Sequence, residues 1–310
     1  MKKIRIEFRM QNGYKDGFLY KPLIQGVPGL RTLKNFLATA MMPVGTTLYV
    51  YGGGWDPTDA GADMAARSIG VSEDWVRFFR SQDETYDFRN TADHPSGLDC
   101  SGFLGWTLYN VMNTENGNSG YVVKSTELAW TLAKNGWGTW TGGEGQSQDN
   151  KLHQFLPGDV ISIYGHVWIC LGCCADGSIL VLHSTAAPSR SGHPGGGVEL
   201  SALGADRGCD AYQLADIYMS RYYPQWYERY PVAWKDMLQY TSSSYPHTGR
   251  FSWNLTGENG GLTDPDKYRS MTAQEILSDL FVIGRFCLSE RPLPQEAPFD
   301  TEVHFATLKG

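Results

Sequence analysis

The chain has 310 residues, 41% of them hydrophobic, and a formal net charge of −7 at pH 7. This length allows a sizeable hydrophobic core, so the fold does not depend on a disulfide framework. The acidic balance and the lack of a clustered Lys/Arg tract argue against nucleic acid or a membrane surface as the main partner.

Cysteine usage and hydropathy give further expectations. Six cysteines, two of them adjacent, do not have the spacing of a disulfide framework in a chain this long, so we expect reduced thiols. Residues 1–20 alternate apolar with charged side chains near their start, which predicts a short strand and not a signal peptide. No apolar run approaches the roughly 18–20 residues that cross a bilayer, so a cytoplasmic location is favoured over secretion or the cell wall.

The first third of the chain contains two predicted helices and a glycine-rich turn. Apolar residues at i, i+3, i+4 and i+7 predict a helix over residues 33–42. An extended segment at residues 47–51 then meets three glycines at 52–54. Such glycines let the backbone approach another group closely or turn the chain, and we expect most of these three to turn it. A short helix at residues 72–81 follows, within a longer excursion over residues 55–97.

A cysteine stands at the start of the next helical pattern, in Gly97-Leu98-Asp99-Cys100-Ser101-Gly102-Phe103. Apolar spacing predicts a helix over residues 101–112, with Asp99 as its N-cap. The free N–H groups and the dipole at a helix start favour a thiolate over a thiol. From this segment alone, Cys100 is either a nucleophile or a buried apolar side chain, since cysteine is often buried.

The central part of the chain is predicted to form a three-stranded β-meander. A helix at residues 125–135 and a flexible loop at 141–150 come first. A Pro-Gly turn and β-branched segments then predict three antiparallel strands over residues 160–185. The second strand begins at His166, and the third contains His183.

The register between the second and third strands decides whether the two histidines meet. Pairing Gly172 with Gly177 across a four-residue loop places His166 opposite His183 on one face of the sheet. A two-residue hairpin at Asp176-Gly177 is the stronger local turn signal, and it separates the histidines. The catalytic interpretation therefore requires the longer loop.

The remaining segments are predicted to be mainly helical. A mobile, glycine-rich loop at residues 187–197 precedes a helix at 210–221. The aromatic residues of 222–234 favour helix packing over stacking on sugars. A helix at 272–287 precedes an extended, proline-rich tail.

Cys100, His166 and His183 supply the three groups that a thiol nucleophile needs. In this hypothesis His166 takes the thiol proton, His183 orients His166, and the pair rests as thiolate and imidazolium. Backbone N–H groups near Cys100, together with the Tyr49 hydroxyl, hold the oxyanion. A buried His183 bonded to backbone and a Tyr49 that only packs its ring remain as alternatives.

A metal site deserves separate consideration. Cys170-x-x-Cys173-Cys174 has ligand types that zinc uses, and histidines lie nearby in the sequence. A second paired motif is missing, and strand alternation separates Cys170 from Cys173. The sequence therefore predicts neither a metal nor a cofactor.

Four motifs in one order resemble those of the NlpC/P60 family of papain-like cysteine peptidases. They are Tyr49-x-Tyr51-Gly52-Gly53, Asp99-Cys100-Ser101-Gly102-Phe103, Leu156-Pro157-Gly158-Asp159 and Gly165-His166-Val167 through Leu171-Gly172, followed by His183. The resemblance covers about half of the chain, from near residue 33 to near residue 185. It implies an α+β, papain-like core in which the helix that bears Cys100 packs on an antiparallel β-meander.

The resemblance also implies a function. Family members hydrolyse peptidoglycan stem peptides, commonly between the γ-carboxyl of D-glutamate and a diamino acid, through a thioester and without a cofactor. The implied roles, by position, are nucleophile for Cys100, base for His166, orienting residue for His183, and substrate contacts for Tyr49, Asp99 and Ser101. Muropeptides are the implied partners.

Departures from the family pattern define the predicted domain organisation. Residues 1–32 form a lead-in, residues 33–205 the catalytic core, and residues 206–310 a mainly helical extension packed on that core. The family passes from Gly-Gly to Asp-Cys in a handful of residues, so the intervening residues 55–97 are an insertion that we expect to wall or cap the cleft.

Two other functions fit the same motifs. One is a thiol-dependent amidase or acyltransferase that acts on a non-peptide acyl group. The other is a catalytically silent module that binds wall fragments, which alkylation of Cys100 at an ordinary thiol rate would favour.

Overall fold

The computed structural model describes residues 23–90, 94–142, 155–241 and 244–281. Several predictions lie wholly or partly outside these ranges. They are the N-terminal strand, most of the loop at 141–150, the end of the helix at 272–287 and the proline-rich tail.

Eight α-helices lie within the described ranges. They are α1 (Leu33–Met41), α2 (Glu73–Ser81), α3 (Cys100–Met112), α4 (Leu128–Lys134), α5 (Asp210–Tyr222), α6 (Pro224–Arg229), α7 (Met237–Thr241) and α8 (Ala273–Leu280). The helices predicted as α1, α2, α3 and α5 are confirmed, with bounds that differ by one residue at an end. The predicted helix at 125–135 is shorter, because its N-cap residue Glu127 makes no side-chain hydrogen bond to the first turn.

None of the helices in the part of the chain that the structure describes is both long enough and apolar enough to cross a membrane.

One mixed sheet of seven strands forms the centre of this α+β fold. The strands are β1 (Gly138–Gly142), β2 (Val160–Ile163), β3 (His166–Cys173), β4 (Ile179–Thr185), β5 (Gly197–Gly204), β6 (Trp234–Asp236) and β7 (Gly249–Trp253). Their order is β1-β7-β2-β3-β4-β5-β6, and only β5 and β6 pair in parallel. The predicted meander is confirmed as β2, β3 and β4 in the middle of the sheet.

Strands outside the meander extend the sheet on both sides. β5 and β6 continue it beyond β4, whereas β7 pairs with β2 and carries β1 at the far edge. Residues 141–142 lie in β1, so the first two residues of the predicted loop belong to a strand. The segment from residue 206 onward therefore adds two strands to the sheet as well as α5 to α8.

The two faces of the sheet bury different layers. On one face, Val167, Ile169 and Leu171 of β3 join the main core against α3. On the other face, Trp168 of β3 belongs to a smaller apolar cluster beneath α7. The Trp168 indole N–H donates to the backbone carbonyl of Tyr240 at 3.1 Å, which fixes α7 over this second face.

The register between β3 and β4 differs from both expected pairings. Cys170 pairs with Val181, and a bulge before Gly172 shifts the remaining pairs by one residue. Continued along the strands, this register places His183 opposite Trp168, so the prediction that it faces His166 directly is wrong. The two histidines are diagonal neighbours on one face, a separation that aromatic side chains span.

Candidate active site

Cys100 is the first residue of α3, and Asp99 is its N-cap, as the sequence predicts. The Asp99 Oδ1 atom accepts hydrogen bonds from the Gly102 N–H at 2.7 Å and from the Ser101 hydroxyl at 2.9 Å. These bonds satisfy part of the first turn of α3, where no helical carbonyl reaches the N–H groups. Cys100 therefore lies at a helix end whose backbone conformation is fixed by Asp99.

The glycine-rich turn packs directly against the start of α3. A Cβ atom on Gly102 would lie 2.0 Å from the Gly53 carbonyl oxygen. The Asp99 N–H donates to that same carbonyl at 2.9 Å. Gly52 and Gly54 have φ values of +75° and +91°, so they turn the chain as expected. The close approach of Gly53 to α3 is the other role that the sequence allows for these glycines.

Replacing Gly102 with alanine should destabilise the protein by about 1–3 kcal/mol, because the added methyl group overlaps a backbone carbonyl that cannot turn away. Urea unfolding measures the loss. Gly208→Ala is the matched control, since φ is not positive there and the nearest obstacle is the end of an exposed Asp206 side chain. Equal stability of the two variants would contradict the tight packing at α3.

The sulfur of Cys100 lies where β3 and β4 separate. Beyond the last pair of their ladder, the backbone N–H of Val167 points at this sulfur. The hydroxyl of Ser184 on β4 donates to the Leu98 carbonyl at 2.7 Å. The segment that leads into α3 thus contacts both strands, and the thiol lies beside the residue that follows His166.

The two histidines meet across β3 and β4. His166 Nε2 lies 2.9 Å from His183 Nδ1, and the Tyr240 ring lies against both imidazoles, at centroid distances of 5.5 and 6.1 Å. His183 is fully buried, and its other nitrogen bonds the Ser201 hydroxyl and not a backbone group. The Nε2 atom of His166 is therefore engaged by His183, and Nδ1 is the other ring nitrogen of His166.

Burial dominates the electrostatics of the thiol and the imidazole. It raises the pKa of Cys100 to about 12, and the Asp99 carboxylate adds to the rise, whereas the Val167 N–H opposes it. Burial, followed by the positive charge of Lys235, lowers the pKa of His166 to about 3. Both shifts favour a neutral thiol and a neutral imidazole at pH 7 over the expected resting pair of thiolate and imidazolium.

The alkylation rate of Cys100 by iodoacetamide should rise about tenfold per pH unit from pH 7 to 9.5, because the reactive thiolate forms only near the raised pKa of about 12. Mass spectrometry of the Cys100 peptide separates this thiol from the others. The rate must also be linear in reagent concentration, so that opening of the fold does not limit it. A rate that is flat from pH 6 to 9 under that condition would support the resting pair of Cys100 thiolate and His166 imidazolium.

The variant Asp99→Asn provides the matched comparison for this pH series. Asparagine is as good an N-cap as aspartate, so α3 keeps its start. The charge that raises the Cys100 pKa is removed, however, and the thiol should be alkylated faster at each pH. Unchanged rates would show that Asp99 does not act on the sulfur.

Tyr49 lies near the thiol and also packs its ring. The ring makes an edge contact with Phe88 at a centroid distance of 5.2 Å, and the Tyr49 carbonyl accepts from the Tyr86 hydroxyl at 2.8 Å. Burial, and then the negative charges of Cys100 and Asp99, raise the pKa of Tyr49, so its hydroxyl stays protonated and able to donate. The packing of the Tyr49 ring is therefore observed, and the role of its hydroxyl at the oxyanion stays a prediction.

The described part of residues 55–97, which the resemblance treats as an insertion, lies beside the start of α3. The Trp55 indole N–H donates to the Ser101 hydroxyl at 2.9 Å, and Ser101 in turn donates to Asp99. Trp75 of α2 meets Trp106 of α3 edge to face, at a centroid distance of 5.8 Å. The insertion is therefore held against the helix that bears the thiol, on the side of Asp99 and Ser101.

No family model, curated protein or solved structure matches this chain.

Two cysteines of β3 come together through the bulge. The thiols of Cys170 and Cys173 interact by a side-chain hydrogen bond, although strict alternation would separate them. Cys173 also donates to the Phe155 carbonyl at 3.0 Å. Within the described ranges, no group of three or more His, Cys, Asp or Glu side chains is arranged to hold a metal ion.

Several residues around the histidines are missed by the sequence analysis. Ser201 and Glu199 of β5, Lys235 of β6 and Tyr240 of α7 all interact with His183, with His166 or with one another. The segment Val198-Glu199-Leu200-Ser201-Ala202 does alternate apolar and polar residues, which is the signal of a strand. That signal suggests a solvent-facing polar side, whereas here the polar side is buried beneath α7.

Proposed function

We propose that this protein is a cysteine peptidase that hydrolyses peptidoglycan stem peptides, as a γ-D-glutamyl-diamino acid endopeptidase with a papain-like core. The observation that supports this proposal best is the juxtaposition of Cys100, Val167 and a pair of bonded histidines. A thiol at a helix start meets the strand of His166, whose imidazole is 2.9 Å from that of His183. The motif order that resembles NlpC/P60 peptidases supplies the substrate class.

The proposed reaction begins from neutral groups. His166 Nδ1 accepts the Cys100 proton while the sulfur attacks the carbonyl carbon of the peptide bond, which forms a tetrahedral oxyanion. Backbone N–H groups at the start of α3 and the protonated Tyr49 hydroxyl donate to this oxyanion. Proton transfer is coupled to attack, because burial disfavours a separate thiolate.

The second half of the reaction reverses the proton transfer. The imidazolium of His166 gives its proton to the leaving amine as the carbon–nitrogen bond breaks, which leaves a thioester on Cys100. His166 then takes a proton from a water molecule that attacks the thioester. The carbon–sulfur bond breaks, the thiol regains its proton, and the new carboxylate leaves.

Asp99 and Ser101 are assigned to the substrate. Burial raises the pKa of Asp99 to about 6, and four hydrogen-bond donors oppose this rise, so the carboxylate carries a negative charge at pH 7. This charge attracts the free amine of a short peptide. Ser101, held between Trp55 and Asp99, is fixed for a polar contact with the same end of the substrate.

Defined stem peptides with and without the disaccharide, followed by mass spectrometry, test the proposal. The expected products are a peptide with a new amine at the diamino acid and a complementary peptide with a new γ-carboxylate. Rapid acid quenching should trap the acyl group on the Cys100 peptide as a thioester. A protein that binds the peptides and returns them intact would instead be a binding module.

A different pattern would identify the other thiol enzyme. If an acyl group is captured on Cys100 from a non-peptide amide or ester, and no peptide gains a new amine, the protein is an amidase or acyltransferase. That result would overturn the peptidase assignment while keeping the nucleophile.

A further inference from the structure

A chain of buried polar side chains continues from the histidines into the sheet. Beyond the bond between His166 and His183, the Nε2 atom of His183 lies 2.8 Å from the Ser201 hydroxyl. Ser201 in turn donates to Glu199 Oε1 at 3.1 Å. His183 and Ser201 are fully buried and Glu199 is 1% exposed, so bulk water does not replace these bonds.

The strand register explains why these residues meet. His183 of β4 pairs directly with Glu199 of β5, and Ser201 lies two residues further along β5 on the same face. A buried carboxylate is costly unless it is paired and hydrogen-bonded. Lys235, Ser201 and the Trp226 side chain each favour the ionised form of Glu199, although burial outweighs them and raises the pKa of this carboxyl group.

The protonation state of Glu199 sets the direction of every hydrogen bond from Ser201 to His166. Above the Glu199 pKa of about 8, the ionised carboxylate only accepts, so Ser201 donates to it and must accept from the Nε2–H of His183. The Nδ1 atom of His183 then has no proton and accepts from the Nε2–H of His166. The Nδ1 atom of His166 is left with a lone pair, which is the form that a base for Cys100 needs.

We propose that Ser201 and Glu199 are positioning residues that act through His183 to hold His166 with its proton on Nε2 and its base on Nδ1. The catalytic purpose of this arrangement rests on the proposed function, whereas the tautomer itself is a property of the free protein. The sequence resemblance ends at His183, so these two residues extend the site beyond it.

Protonation of Glu199 should reverse the direction of the hydrogen bonds that link it to His166. Burial raises the Glu199 pKa to about 8, against the opposing effects of Lys235, Ser201 and Trp226. A protonated Glu199 can donate to Ser201, and the Ser201 hydroxyl then donates to His183 Nε2. The proton of His183 moves to Nδ1 and is donated to His166 Nε2, so His166 carries its own proton on Nδ1. The other titratable groups that face Glu199 are His183 on β4, Tyr240 on α7 and Tyr230 after α6.

Imidazole ¹⁵N NMR on the Cys100→Ala protein tests the tautomer without any substrate. At pH 9 we expect His166 to carry its proton on Nε2, and a proton on Nδ1 would overturn the inference. At pH 6 the proton should populate Nδ1. This measurement decides the inference even if no stem peptide is cleaved, in which case only the proposed function fails.

Kinetics of Ser201 variants test the catalytic consequence. Ser201→Ala should lower kcat about 10- to 100-fold with little change in KM. In the NMR experiment at pH 9, the His166 proton of this variant should be distributed between Nδ1 and Nε2. Ser201→Thr keeps the hydroxyl and should restore both. Ser201 is chosen over Glu199 because Glu199→Gln leaves Lys235 without its buried counter-charge. An unchanged tautomer and an unchanged kcat in Ser201→Ala would overturn the inference.

Discussion

Replacing Cys100 with alanine should reduce turnover of stem peptides by about 10⁴-fold or more, because no other group at the site can form the thioester. Cys100→Ser should lose nearly as much. Its hydroxyl has a far higher pKa than a thiol, and His166, the proposed base, is a weak one, with a pKa of about 3. Initial rates from chromatographic product analysis measure both losses.

Cys209→Ala is the matched control for this prediction. Cys209 is also a buried thiol at a helix start, since it is the N-cap residue of α5. We assign it no chemical role, so its removal should leave kcat and KM unchanged apart from a small loss of stability. Circular dichroism of all three variants checks that the fold is kept. Turnover at the wild-type rate in Cys100→Ala would remove the proposed mechanism.

The helix that begins at Cys100 is predictable from sequence because its signals are local. The aspartate cap and the apolar spacing of the following residues act within one or two turns, and the structure confirms both. The same is true of α1, α2 and α5. The strands of the meander are also local, since each consists of β-branched residues between turns.

The contact between the histidines is only partly predictable. It depends on a bulge in β3 between Cys170 and Gly172, which changes the register by one residue. A bulge is chosen by packing on both faces of the sheet, and here a Cβ on Gly172 would lie 2.7 Å from the backbone of Ala273 in α8. The glycine at the bulge, Gly172, is thus required by contact with α8, which lies about a hundred residues later in the sequence.

The support behind His183 is not predictable from local pattern. Glu199 and Ser201 alternate with apolar residues, which is typical of a strand with one side in water. They are buried because β6 pairs in parallel with β5 and brings Lys235 and α7 over that side. The sequence also predicts a Cys100 thiolate, whereas the structure favours the neutral thiol. Burial by the whole fold raises the Cys100 pKa more than the helix start lowers it.

Replacing His166 with alanine should lower kcat about 10³- to 10⁴-fold, the range expected when a general base is removed from a thiol or hydroxyl nucleophile. His247→Ala is the matched control, because His247 is exposed and stacks on Trp130 at a centroid distance of 4.2 Å, with no assigned role. That variant should keep wild-type kinetics. Single-turnover acylation rates measure the loss at the chemical step.

The pH profile of the His166→Ala variant distinguishes a lost base from a damaged fold. Without the imidazole, the thiol must ionise unaided, so the residual rate should rise about tenfold per pH unit up to pH 9.5, below the Cys100 pKa of about 12. In the wild type, His166 has a lowered pKa of about 3 and is neutral throughout this range. Its rate should level off above pH 8, where the Glu199 carboxylate has formed. Parallel profiles for the two proteins would mean that His166 does not take the proton, whereas a steep variant profile beside a level wild-type profile assigns the base to His166.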